Sequence, residues 1–162
     1  MRTRTVDVTH QGAMRFEART DSGHVLTLDD REDVPEPGPM DAVLVSLAGC
    51  SAMDVVSIAL KKRQGIESYV VHATAEQRDE YPKVYTRIDL VHEVAGPAVD
   101  EAAIRRCIEL SADKYCPVSA MLSAGATEVH HRYRIRNTGR QPFEAEGEVR
   151  VTGPGQSLAP VG

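Results

Sequence analysis

The run from Met40 to Leu60, MDAVLVSLAGCSAMDVVSIAL, most constrains what this chain can fold into. It contains no proline and a single glycine, Gly49. Its length approaches the ~20 residues that span a bilayer. Yet it holds Asp41, Asp54 and three serines, and an unpaired carboxylate in hydrocarbon is costly. A helix buried in a protein core accounts for the run better. Gly38-Pro39 opens it, because proline at the first helical position gives up only an N–H that has no partner there. The basic KKRQ closes it beside the negative end of the helix dipole, and Gly65 offers a residue for the C′ position. The sequence predicts a helix over about 40–64, roughly six turns long. It is apolar nearly all round, so it is expected to be central and buried.

Strand patterns flank this helix. Val6 and Val8 alternate with polar neighbours, and Met14, Phe16, Val25, Leu26 and Leu28 continue the pattern up to the aperiodic DDREDVPEPGP. After the helix, 68–77 and 84–94 alternate, with RDEYPK as a hairpin loop between them. Asp100 can cap a helix over about 101–113 that places Ile104, Cys107 and Ile108 on one face. A short helix starts at YCPVSAMLSAG, and a last strand is expected over about 126–135. The order is strands, long helix, strands, helices, strand. That predicts an α+β fold with mostly antiparallel sheets packed around a long central helix. Residues 1–136 read as one domain. Residues 137–162, polar and rich in glycine and proline, read as a flexible C-terminal tail.

Composition narrows the function classes. The chain has 162 residues, enough for one domain, and only 4% are aromatic, so Val, Ile, Leu, Ala and Met must fill the core. A net charge of −5 argues against nucleic acid as a partner. Three cysteines are too few, and odd in number, for a disulfide-stapled secreted scaffold. No apolar stretch of secretory type follows the basic N-terminus. The expected location is cytoplasmic, with reduced thiols and no membrane partner.

Chemistry is concentrated at the cysteines. Ser46, Cys50, Asp54 and Ser57 form a narrow polar ribbon along the apolar helix. Cys50 there is either a small packing residue or a thiol facing a cleft. Cys116 precedes Pro117, which disfavours the α region at Cys116 and suits the first position of the next helix. Cys116 is therefore the expected N-cap: either an ordinary cap, or a thiol whose pKa is lowered by free N–H groups, the dipole and nearby Lys114. Cys107 reads as core packing. No CxxC or HExxH spacing occurs, and adjacent His130 and His131 point to opposite faces of a strand. No metal or other cofactor is expected.

Two blocks, GPMDAVLVSLAGCSAMDVVSIALKKRQ and DKYCPVSAMLSAGATEV, together resemble the OsmC/Ohr superfamily of osmotically induced and organic hydroperoxide resistance proteins, in its OsmC-like branch. The resemblance covers about residues 3–136. It implies an intertwined homodimer with the long helix in its core and active sites at the subunit interface. It also implies a thiol-dependent hydroperoxide reductase that favours organic hydroperoxides. Cys50 matches the attacking thiol and Cys116 the resolving one. They would pass through an intramolecular disulfide that a dithiol reductant reopens. The family pairs a glutamate, ten residues before the first cysteine, with an N-terminal arginine. Met40 stands at that position and Asp41 follows it. Arg19, or else Arg15, is the arginine candidate. The alternative is a non-enzymatic member of the same fold that binds a small ligand or senses redox state.

Overall fold

A computed structural model describes residues 2–150. The chain forms two compact units that divide between Val45 and Ser46, inside the long helix. The fold is α+β, as the sequence predicts.

In the first unit, β1 (Val6–His10), β2 (Phe16–Thr20) and β3 (Val25–Leu28) form an antiparallel sheet in that order. Gly12 and Gly23 have φ of +105° and +85°, the left-handed turns that glycine adopts without steric cost. The buried Asp29 carboxylate receives two hydrogen bonds from the Arg31 guanidinium, at 3.0 and 2.7 Å. That pairing holds its acidity below the ordinary carboxylate range.

Helix α1 runs from Pro39 to Lys61, with proline at its start as expected. Its end differs from expectation. Arg63, not Gly65, takes the left-handed conformation, at φ +57°. Its N–H and that of Gln64 donate to the carbonyls of Leu60 and Ala59 at 3.0 Å each, a Schellman-type closure. By length and composition α1 is long and apolar enough to cross a membrane, yet most of it is not buried within the single chain. The expected all-round burial is thus corrected. Leu47, Ser51, Val55 and Ala59, spaced by four residues, form one buried stripe. Met53 and Leu60 are 75% and 67% exposed on other faces.

In the second unit, β4 (Ser68–Gln77), β5 (Tyr85–Gly96), β6 (Glu128–Asn137) and β7 (Phe143–Val149) form a sheet in sequence order. β5 and β6 are parallel and the other pairs antiparallel. The crossover carries α2 (Glu101–Leu110) and α3 (Pro117–Ser123). The Asp100 side chain accepts the Ala103 N–H at 2.8 Å, the expected cap. Ile104, Cys107 and Ile108 of α2 enter a core with Val55 and Ala59 of α1, Val94 of β5, Tyr133 and Ile135 of β6, and Val149 of β7.

β7 corrects the expected tail. Residues 143–149 are a strand, and residues 151–162 of that expectation lie outside the described residues. Three β7 glutamates stand opposite three β6 arginines: Glu144 with Arg136, Glu146 with Arg134, and Glu148 with Arg132. A Cβ at Gly147 would lie 2.5 Å from the Tyr133 hydroxyl oxygen, so only glycine lets Tyr133 lie across the strand. That hydroxyl donates to Glu101 Oε1 at 2.6 Å.

Candidate active site

α1 brings Ser51 and Asp54 to the same side as Cys50, and the segment between α2 and α3 meets them there. α2 ends at Leu110. The chain then makes a wide π-type turn over Ser111–Tyr115, where helix had been expected to run to about 113. The Cys116 N–H closes that turn by donating to the Ser111 carbonyl at 2.8 Å. Cys116 has φ −74° and ψ 102°, extended as expected before proline, and it caps α3. Its sulfur accepts the Ser119 N–H at 3.4 Å.

The result is a cluster of three side chains. Cys50 Sγ, Cys116 Sγ and a carboxylate oxygen of Asp54 all lie within 4.8 Å of one another. Both thiols are free; Cys50 is half-buried and Cys116 buried. The Ser111 hydroxyl donates to Asp54 Oδ2 at 3.1 Å and approaches Ser51 Oγ at 3.4 Å. Among the described residues this is the one group whose donor atoms could converge on a cation. Three donors fall short of the closed tetrahedral shell of structural zinc.

The acidity of Cys116 runs against the cap argument. Burial pushes its thiol up to about 12. The Ser119 N–H acts the other way, while the hydrogen bond to Cys50 and the nearby Cys50 and Asp54 charges raise it further. One N–H and a short helix do not offset the loss of water around the sulfur. Cys107 is fully buried, and burial raises its thiol too, consistent with packing.

Asp41 and Arg19 have local partners. Asp41 Oδ2 accepts the Gly38 N–H at 3.0 Å, half of a capping box at the start of α1. Arg19 is exposed and pairs with Glu17 on its own strand at 2.9 Å. Arg15 instead reaches Glu36, in the loop before α1, at 2.8 Å. Glu36 was missed because the aperiodic loop gave no register from which to place it. Asp54 and Ser111 were also missed as partners. Asp54 was visible in the polar ribbon, but Ser111 carried no signal, because the turn that aims it is not a local sequence pattern.

Comparison with known proteins identifies the family. The family model for OsmC-like protein matches residues 30–132. Protein YhfA of Escherichia coli (strain K12) is 39% identical over 122 residues, covering 75% of this chain and 90% of that relative. The crystal structure of an OsmC like protein from Mycoplasma pneumoniae superposes with a TM-score of 0.73 at 19% identity, over 83% of this chain and 97% of its own. The organic hydroperoxide resistance protein OhrB of Bacillus subtilis shares the fold at a TM-score of 0.56 and 17% identity, over 80% of this chain and 97% of its own. On the family match over residues 30–132 and the 39% identity with YhfA, the chain belongs to the OsmC-like protein family.

Proposed function

We propose that the protein is a cysteine-based reductase of organic hydroperoxides. The observation that carries this reading is the meeting of two free thiols, one half-buried and one buried, with their sulfurs within 4.8 Å. The fold shared with an organic hydroperoxide resistance protein supports the substrate class. The Cys50 thiolate attacks the distal peroxide oxygen. The O–O bond breaks, an alcohol leaves after taking up a proton, and Cys50 becomes a sulfenic acid. Cys116 condenses with it, releasing water and forming the Cys50–Cys116 disulfide. A small dithiol then reduces that bond by exchange. The reading is carried by the two cysteines; help from Arg19 and Asp41 rests on the family resemblance alone.

The functional unit in this reading is a homodimer in the cytoplasm. Ala52, Met53, Val56 and Leu60 line an open apolar groove on α1. A second copy of α1 would cover a face that one chain leaves to water.

Mass spectrometry tests the chemistry. Reduced protein treated with cumene hydroperoxide is expected to give a Cys50–Cys116 disulfide, and Cys50→Ser to consume no peroxide. Equal consumption by Cys50→Ser would sink the proposal. Redox sensing without turnover is the second reading, favoured by the 2% exposure of Cys116. A disulfide that dithiols fail to reopen would select it.

A further inference from the structure

Forming the disulfide requires a thiolate, because the thiolate rather than the thiol is the nucleophile. Burial holds the Cys116 thiol well above its ordinary range, so at neutral pH little of it is present as a free thiolate. Waiting for spontaneous ionisation would make the step slow. A positioned acceptor that removes the proton during attack avoids that delay.

The cluster contains such a group. An Asp54 carboxylate oxygen lies within 4.8 Å of both reacting sulfurs. Its orientation is fixed by the Ser111 hydroxyl, which donates to Oδ2 at 3.1 Å. Ser111 also accepts the Cys116 N–H through its carbonyl at 2.8 Å. One residue thus anchors both the carboxylate and the backbone of the thiol. The Ser119 N–H points at the Cys116 sulfur from 3.4 Å, where it can stabilise developing negative charge.

We propose that Asp54 is the catalytic proton acceptor of the disulfide-forming step and that Ser111 is its positioning residue. The proposal rests on the assignment of Cys50 and Cys116 as the reacting pair. As the Cys116 sulfur attacks the Cys50 sulfur, the S–H proton passes to Asp54. The S–S bond forms and the S–O bond of the sulfenic acid breaks. The departing hydroxide takes the proton back from Asp54 and leaves as water. The sulfenic sulfur is reduced as the thiol sulfur is oxidised, so no outside electrons enter. Asp54 ends as it began, a carboxylate. Such contacts commonly tighten only when the reacting state forms.

The test separates the two chemical steps in reduced, full-length protein mixed with one equivalent of cumene hydroperoxide. Dimedone trapping reads the Cys50 sulfenic acid, and rapid acid quench with mass spectrometry reads the disulfide. Asp54→Asn keeps the shape and can still accept from Ser111. Its sulfenic acid step is expected to change far less than its disulfide step. Its disulfide step should slow by about 100-fold or more and rise steeply with pH, as hydroxide replaces the carboxylate. Asp54→Glu should recover part of the rate. Ser111→Ala should slow the disulfide step less and keep the wild-type pH profile. If Asp54→Asn does not fold, Asp54→Ala with added formate is the substitute, and partial rescue is expected. A disulfide step at the wild-type rate and pH profile in Asp54→Asn overturns the proposal. So does an equal slowing of both steps, or no rescue by formate. Failure of the wild-type protein to form the disulfide would instead overturn the underlying assignment of the pair, and the Asp54 role with it.

Discussion

The Tyr69 hydroxyl shares a hydrogen bond with Nδ1 of His92 at 2.7 Å, in the partly buried sheet face of the second unit. Burial raises the tyrosine well above its ordinary value, so it keeps its proton. His92 Nε2 in turn lies 3.3 Å from His131 Nδ1, so the tautomers of the two rings are linked, with one proton serving each contact. His131 Nε2 is a buried atom with no partner among the described residues. Both imidazoles are fully buried and stacked with 5.6 Å between centroids.

Acid should therefore destabilise the protein through this pair. Burial lowers His92 to about 3 and His131 to about 4 from 6.5. The unfolded chain binds these protons first, so the stabilisation is complete above about 6.5 and is lost as pH falls toward 4. Each histidine contributes at most about 1.4 kcal/mol per pH unit in that window. Urea unfolding at pH 7, 6 and 5 should show the decline, and His131→Leu should flatten it. An unchanged slope in that variant would remove His131 from the account.

Gly147→Ala should destabilise the sheet by about 1–3 kcal/mol, because the new methyl would drive Tyr133 off its place. The readout is the denaturant midpoint. A shift below about 0.5 kcal/mol would mean that Tyr133 moves aside at no cost.

Asp41→Ala should cost about 1 kcal/mol through the lost acceptor for the Gly38 N–H. Thermal unfolding reads that loss. A stopped-flow measurement of sulfenic acid formation on the same variant shows whether Asp41 also helps Cys50. A large kinetic loss beyond the stability change would assign it that second role.

Charge placed on the exposed face of α1 should leave the fold intact and break the proposed dimer. Met53→Lys with Leu60→Lys is the test pair, both being largely exposed in the single chain. Light scattering should show monomer for the variant at concentrations where the wild type is dimeric. A monomeric wild type would defeat the dimer proposal outright.

The elements legible in the sequence are those set by local rules. Proline at the head of α1, Asp100 as the cap of α2 and Cys116 before Pro117 each act within a few residues, and each is found where expected. β7 was not legible, because its glycine and charges resemble loop composition. The signal was pairwise: arginine at every second position of β6 faces glutamate at every second position of β7. Of the two readings of Cys116, the lowered-pKa one is set aside for a related reason. A cap can be read from neighbours in sequence, whereas burial depends on segments far along the chain. Cys107 shows the complementary case, where helical spacing with Ile104 and Ile108 suffices to place it in the core.

The wide turn over Ser111–Tyr115 acts as a length gauge. It separates the residue that holds Asp54 from the thiol that Asp54 serves by five positions instead of the four of an ordinary helix. Removing one residue would rotate whatever follows by about 100° and swing the second sulfur away from the first, with both helices still able to form. Insertions and deletions should thus be tolerated in the β4–β5 loop and lethal to function here. This five-residue stretch sets the spacing of the site more tightly than either helix beside it.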